Sequence, residues 1–302
     1  MNTPNLPLKV TVDVNKLIDQ IQPIFKNDLT KMISDYFSTK RMENLVKILS
    51  KASERMKTFG VSSADLDNIS TKFKINWYTL ASQEDDDSIQ EFWAKLLVQE
   101  CLENSSVSLR TLDLLHKLTS TEAIILDNYF SEILFYDDNG RGDEKYIFPQ
   151  VVSLFGQDDE YYPDISRFNW NTASENFQEN FEHLSDIGIF RLFDLDMVQY
   201  AYFRPPKFEK GLKQSEFSDK KYYEEEDLFR FDPVYEKGKK LLPKDPISAY
   251  KLTQEGKELY FALQPSFEGR IWKWFLKRLV KDYPEIKVTG RAKWADQIVW
   301  KE

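Results

Sequence analysis

The chain has 302 residues, of which 30% are charged and 15% aromatic, and its net charge is −9. This length allows two domains with a sizeable core, and the acidity argues against nucleic-acid binding by the whole surface. The single cysteine, Cys101, excludes an intramolecular disulfide framework and an all-cysteine metal site. No secretory signal and no run of about 18 apolar residues is visible, so we expect a cytoplasmic protein.

Helical spacing of apolar residues predicts an all-helical region over residues 14–135, after an irregular lead over 1–13. The expected helices run from Val14 to Phe37, with a kink at Pro23, from Met42 to a stop at Gly60, and from Leu66 to Leu80.

The stretch 84–130 is the most regular part of the chain. The acidic run Glu84–Asp87 precedes a helix that either Asp86 or Asp87 caps, and Gln90 follows Asp87 as in a capping box. A polar break at 104–106 separates this helix from a second one over residues 109–118. A capping box at Thr119–Glu122 then predicts a third helix, which continues through residue 134.

The second half of the chain mixes helix and strand signals. A capping box at Thr172–Glu175 opens a helix that ends at Gly188, two strands follow at 189–193 and 198–203, and Thr253 caps a late helix. A helix, a hairpin, a late strand and a capped helix are typical of a winged-helix domain. Residues 204–246 would form its wing or an insertion.

The segments SIQEFWAKLLVQE and SLRTLDLLHKLTSTEAIIL resemble the signature of the Abi-alpha family and of a closely similar uncharacterised bacterial domain. The later YKLTQEGKEL resembles the closing LT-x-x-G element of that family, and the resemblance covers roughly residues 36–263. It implies a role in abortive infection and bacterial phage defence, without a molecular mechanism. The matching residues are Glu84, Asp85, Gln90, Glu91, Trp93, Ala94, Leu96, Leu97, Leu115, Leu118, Glu122 and Ala123.

The histidines, the cysteine and the acidic run are not spaced as in any known catalytic or metal-binding motif. His116 and His183 fit no catalytic or metal motif, Cys101 fits a small core residue, and the acidic run fits a helix cap better than a cation site. No phosphate-binding, dinucleotide-binding or zinc-protease motif occurs. We therefore expect no catalytic residue, no metal and no cofactor, and we interpret the motif Trp93 as a core anchor.

Residues 264–302 have a different character from the rest of the chain. They hold nine Lys or Arg, five acids and four of the seven tryptophans. From Phe267 to Lys281, apolar residues share one side of a helical projection, and four basic residues form a stripe on the other: Arg270, Lys273, Lys277 and Lys281. Such a helix either docks on the core with its charges in water, or meets an anionic membrane, a partner's groove or a single-stranded nucleic acid.

The sequence thus predicts an α-rich α+β protein. Its parts are a lead (1–13), a helical domain with the motif (14–106), a winged-helix-like domain (107–263) and a C-terminal extension with an amphipathic helix (264–302). The leading hypothesis is a defence protein that binds another protein or a second copy of itself, with no small-molecule substrate. The alternatives are a winged-helix DNA-binding regulator and an enzyme of unrecognised type. The motif residues Gln90, Glu91, Trp93, Ala94, Leu96 and Leu97 are interpreted as structural, and the basic stripe as a candidate interaction surface.

Overall fold

The computed structural model describes residues 39–61, 63–138, 145–149, 177–195, 200–205, 229–243, 247–267 and 269–291. Of these, one unit takes the residues up to Ala123 together with Phe261–Leu263, and a second unit takes the others. The predicted lead and the predicted helix from Val14 to Phe37 lie outside the described residues. Among the helices described, none has the length and apolar character needed to span a membrane.

The described part of the first unit is built from helices. They are α1 (Thr39–Phe59), α2 (Ser63–Asn68), α3 (Thr71–Ala81), α4 (Asp87–Leu102), α5 (Leu109–Lys117) and the beginning of α6 (Ser120–Phe130). The first unit includes α5, whereas the predicted boundary placed residues 109–117 in the winged-helix-like domain (107–263).

The end of α1 is confirmed, whereas the single helix expected from Leu66 to Leu80 is wrong. Gly60 follows α1 with φ +70°, a conformation that glycine adopts without steric cost. Ser70 is extended and interrupts the next segment, because its side chain caps α3 by accepting from the Phe73 N–H at 3.2 Å. Apolar spacing alone does not reveal this break, since Ile69 and Phe73 are both buried.

The capping box at Thr119–Glu122 is confirmed. Glu122 Oε2 accepts from the Thr119 N–H at 2.7 Å, and Thr119 Oγ1 accepts from the Glu122 N–H at 3.3 Å. The helix it opens ends at Phe130, however, and Leu134 begins a strand rather than continuing the helix. The continuous apolar run through this region does not by itself distinguish a buried helix from a buried strand.

The described part of the second unit contains an antiparallel sheet and four helical segments. Its remaining elements are β1 (Leu134–Asp138), β2 (Lys145–Pro149), α7 (Phe177–Asp186), β3 (Phe190–Leu195), β4 (Ala201–Arg204), β5 (Phe229–Pro233), β6 (Tyr235–Glu236), β7 (Lys239–Lys240), β8 (Ile247–Leu252), α8 (Gln254–Leu263), α9 (Arg270–Asp282) and β9 (Ile286–Gly290). Seven strands form a sheet in the order β3-β8-β2-β1-β4-β5-β9, and β6 pairs with β7.

The expected hairpin between residues 189–193 and 198–203 is wrong. β3 pairs with β8, from Phe190↔Leu252 to Leu195↔Ile247, whereas β4 lies between β1 and β5. The two strands are neighbours in sequence but not in the sheet. β3 pairs with β8, and β4 pairs with β1 and β5. These partners lie far away in the chain, so a local sequence pattern does not reveal them.

One face of the sheet is covered by α9. Trp272, Phe275, Leu276 and Leu279 pack in one core cluster with strand residues that include Tyr136 and Phe203. The rings of Trp272 and Phe203 lie 5.7 Å apart between centroids. On the opposite face, Phe190 meets the edges of Tyr129 and Phe130, both with centroids at 6.3 Å. The mixed helix and sheet composition is confirmed: the described elements up to Phe130 are helices, and the strands follow from Leu134 onward with three further helices among them.

Candidate functional site

The acidic run acts as the cap of the motif helix α4. Asp86 Oδ1 accepts from the backbone N–H of Ser88 at 2.9 Å and of Ile89 at 3.1 Å. The pKa of Asp86 lies below its ordinary value. The largest cause is a hydrogen bond with the Ser120 side chain, and smaller ones are these two backbone N–H groups and the charge of Lys51. Of the two caps that the sequence allowed, the structure selects Asp86.

Gln90 has a different role from the one its spacing suggested. Instead of completing a capping box with Asp87, its amide Nε2 donates to the Glu84 carbonyl at 3.0 Å. The Glu84 carboxylate accepts from the Asp86 N–H at 2.9 Å, and burial raises the pKa of Glu84 above its ordinary value. Gln90 therefore fixes the loop that leads into α4.

The motif tryptophan lies in the core of the first unit. Trp93 is 0% exposed, and its backbone carbonyl accepts from Trp77 Nε1 at 3.0 Å. Three further motif residues are also buried: Ala94, Leu96 and Leu97. This side of α4 is fully occupied by packing.

Motif residue Glu91 joins α4 to α1. Its carboxylate accepts from Arg55 Nε at 2.7 Å, and Lys51 Nζ lies 2.8 Å from Asp87 Oδ1. Because both pairs have the same sequence separation, α1 and α4 run parallel at this contact. Motif residue Glu91 and the preceding Asp87 thus link α4 to α1 through charged contacts.

The residues that usually carry chemistry are dispersed in the part of the chain that is described. Burial raises the pKa of Cys101 to about 12, aided by the charges of Asp65 and Glu100. His116 lies exposed in the last turn of α5, and His183 lies exposed in α7. Among the described residues, no three His, Cys, Asp or Glu side chains are grouped so as to hold a metal ion.

The predicted basic stripe lies on α9. Lys277 and Lys281 are exposed and Lys273 is half-buried, whereas the Arg270 side chain lies outside the described part. On the same helix, Trp272 and Leu276 are 0% exposed. The helix therefore presents lysines to solvent, while four of its large apolar side chains are buried: Trp272, Phe275, Leu276 and Leu279.

Two surface groups of the second unit were not predicted from the sequence. Arg230 Cζ lies 5.0 Å from the Tyr200 ring centroid and 5.9 Å from that of Tyr202, and these two rings are 5.3 Å apart. The second group is the β6–β7 hairpin, with sequence YEKGKK. Its glycine, Gly238, is a local turn signal that could have revealed it.

A family model described as "Protein of unknown function (DUF2806)" matches residues 31–205. The match covers more than half of the chain and includes the whole of the motif helix α4. The chain therefore belongs to this family. No curated protein and no solved structure matches the chain.

Proposed function

We propose that this chain is an antiphage defence protein of the abortive-infection type, which acts in the cytoplasm by binding rather than by catalysis. The defence role is supported by the resemblance of the α4–α6 segment to the Abi-alpha signature. The partner is another protein or a second copy of the chain, and α9 adds an anionic membrane surface or a nucleic acid as a further target.

The observation that supports a binding role best is that α9 buries apolar side chains on one side and exposes lysines on the other. Trp272, Phe275, Leu276 and Leu279 pack in the core beside the sheet, whereas Lys277 and Lys281 are exposed. These apolar side chains are therefore buried without a membrane or partner, and the two lysines remain on the surface. Each exposed lysine near an anionic membrane adds about 1 kcal/mol, so such attachment is weak and salt-sensitive.

The test is charge reversal on α9. Arg270, Lys273, Lys277 and Lys281 are all changed to Glu, and a second variant changes only the exposed Lys277 and Lys281. Exposed charges contribute little to stability, so we expect an unchanged melting temperature for the second variant. We expect reduced protection in a phage plating assay and reduced co-sedimentation with anionic liposomes. A folded variant that protects as well as the parent would contradict a role for the stripe.

A winged-helix DNA-binding regulator is the second candidate. This candidate is supported by the strand order β3-β8-β2, with α7 before β3 and the Thr253-capped α8 after β8. The helix that would face DNA opposes this role, because α7 carries Glu179, Glu182 and Asp186 and no Lys or Arg. We therefore interpret the element as a protein-interaction module.

Footprinting on duplex DNA separates the two candidates. We expect no protected operator at physiological salt, since an acidic helix repels phosphates. A footprint at a defined sequence, with an affinity that falls steeply as salt rises, would establish the regulator instead.

A further inference from the structure

The β6–β7 hairpin is a small, well-anchored projection from the sheet. Lys237 and Gly238 form its two-residue turn with φ +50° and +78°, the double left-handed conformation that matches the twist of a hairpin. At its base, the Leu241 N–H donates to the Val234 carbonyl at 2.8 Å, and the Val234 N–H donates to the Glu285 carbonyl at 2.6 Å. These bonds fix the hairpin to the end of β5 and to the turn before β9.

The hairpin is a positively charged element on an acidic protein. Its six residues hold three lysines and one acid, whereas the whole chain carries −9. Glu236 lies opposite Lys239 in the hairpin register, so the positive charge is concentrated at Lys237 in the turn and at Lys240. All of these side chains are exposed except Lys240, which is half-buried. Exposed lysines that outnumber acids attract phosphates and other anions.

An aromatic ring accompanies these lysines. Tyr235 is 62% exposed and is the register partner of Lys240. An exposed ring beside an ammonium group suits a nucleic acid, because a base stacks on the ring while the lysine meets a phosphate. A membrane fits less well, since the turn itself presents Lys237 and Gly238, and the exposed apolar side chain of Leu242 lies at the base of the hairpin and not at its tip.

The strand that leads into the hairpin carries a second group of the same composition. Arg230 of β5 lies against Tyr200 and Tyr202 and precedes Tyr235 by five residues, a distance of about 16 Å along an extended chain. Arg230 also donates to Asp232 Oδ1 at 2.9 Å, so its charge is partly compensated and its guanidinium is held in place. Lys287, the register partner of Asp232 on β9, is exposed.

We propose that the β6–β7 hairpin binds single-stranded nucleic acid, with Lys237, Lys239 and Lys240 on phosphates and a base stacked on Tyr235. The stacking requirement favours a single strand over a duplex, in which the base faces are already covered by their neighbours. This inference goes beyond the proposed function, because it concerns neither α9 nor phage defence.

The test measures binding of a fluorescent oligothymidylate of about 15 nucleotides, a length that covers a typical single-strand site. The full chain is compared with Tyr235→Ala, with Tyr235→Phe, and with a triple change of Lys237, Lys239 and Lys240 to Ala. A matched control changes three exposed lysines of the first unit to Ala: Lys47, Lys72 and Lys117. Melting curves establish that each variant is folded.

We expect Tyr235→Ala to weaken binding roughly tenfold or more, and Tyr235→Phe to retain it, because stacking needs the ring and not the hydroxyl. Losing three phosphate contacts should weaken binding and reduce the slope of log K against log salt by about 2. The control triple change should leave binding close to that of the parent.

Four results would overturn the proposal. They are no binding of the oligonucleotide by the parent, an equal loss in the control variant, equal affinity for a duplex of the same length, and equal binding by Tyr235→Ala. Binding of anionic phosphatidylserine vesicles that disappears in the hairpin variants, with no oligonucleotide binding, would assign the hairpin to a membrane instead. Since the assay uses purified protein, its outcome is independent of the phage plating result.

Discussion

A methyl group placed on Gly256 would lie 2.3 Å from the carbonyl oxygen of Ile189. This close approach arises because Thr253 ties the start of α8 to the segment before β3. The Thr253 N–H donates to the Ile189 carbonyl at 3.1 Å, its Oγ1 donates to the Gly188 carbonyl at 2.5 Å, and the same Oγ1 accepts from the Gly256 N–H at 3.0 Å. The LT-x-x-G element thus has a physical explanation: threonine makes the cap and glycine leaves room for the backbone it holds.

Changing Gly256 to Ala should destabilise the second unit, because its new methyl group meets main-chain atoms that have little freedom to move. Insertions into packed regions cost about 1–3 kcal/mol, and we expect a value at the upper end. Urea unfolding followed by circular dichroism measures it. Gln254→Ala, at an exposed position of the same helix, is the control and should change stability by less than about 0.5 kcal/mol. A Gly256→Ala protein as stable as this control would contradict the close approach of α8 to Ile189.

Changing Trp93 to Ala should cost roughly 3–5 kcal/mol, as truncations of large buried aromatic residues do. Trp93→Phe should cost less, since the buried Trp93 indole N–H has no hydrogen-bond partner to lose among the residues that the structure describes. Thermal and urea unfolding measure both variants, with Met42→Ala as a control because Met42 is 42% exposed. A Trp93→Ala protein with an unchanged melting temperature and lost defence activity would make Trp93 a contact residue.

Changing Asp86 to Asn should reduce stability near neutral pH and have less effect in acid. The folded state holds the pKa of Asp86 below 3.8, so the unfolded chain takes up the proton first as the pH falls. The contribution of the carboxylate is therefore present above about pH 3.8 and is lost below it. Melting temperatures of parent and variant should converge as the pH falls from about 7 to 3. Asp85→Asn, in the same loop but not capping α4, is the control. A difference that stays constant with pH would contradict the assignment.

Cys101 should react slowly with a disulfide reagent in the native protein. Burial raises its pKa to about 12 from the ordinary value of 9.0, so at mildly alkaline pH the thiol remains protonated. Because this is the single cysteine of the chain, the absorbance change reports it alone. The reaction should become fast and complete in urea, which serves as the positive control. Equal rates in the native and unfolded states would show that the thiol is accessible and ionised.

Local sequence signals predicted the helix caps well, whereas they could not predict which strands pair with each other. Asp86, Thr119 and Thr253 each cap a helix in the structure, because a cap depends on residues within a few positions of one another. The partner of β3 lies in β8, more than fifty residues later, and no local spacing encodes that choice.

Surface groups could likewise be predicted from the sequence only where their residues lie within one helix. The α9 lysines were found by helical projection, because that pattern lies within a single helix. The group around Arg230 is assembled from β4, β5 and the residue before β4, so it appears only once the strands are aligned.

The strand order of the sheet has a practical consequence for choosing the limits of a fragment for expression. The matched stretch 31–205 contains β1 to β4 but neither β5, β8 nor β9. A fragment with these limits lacks β8, which lies between β3 and β2, and lacks the aromatic side of α9 that covers the sheet. Its strand edges would be open to other molecules and prone to aggregate. We therefore expect a fragment limited to residues 31–205 to fold poorly by itself, because its strands pair with strands that follow residue 205.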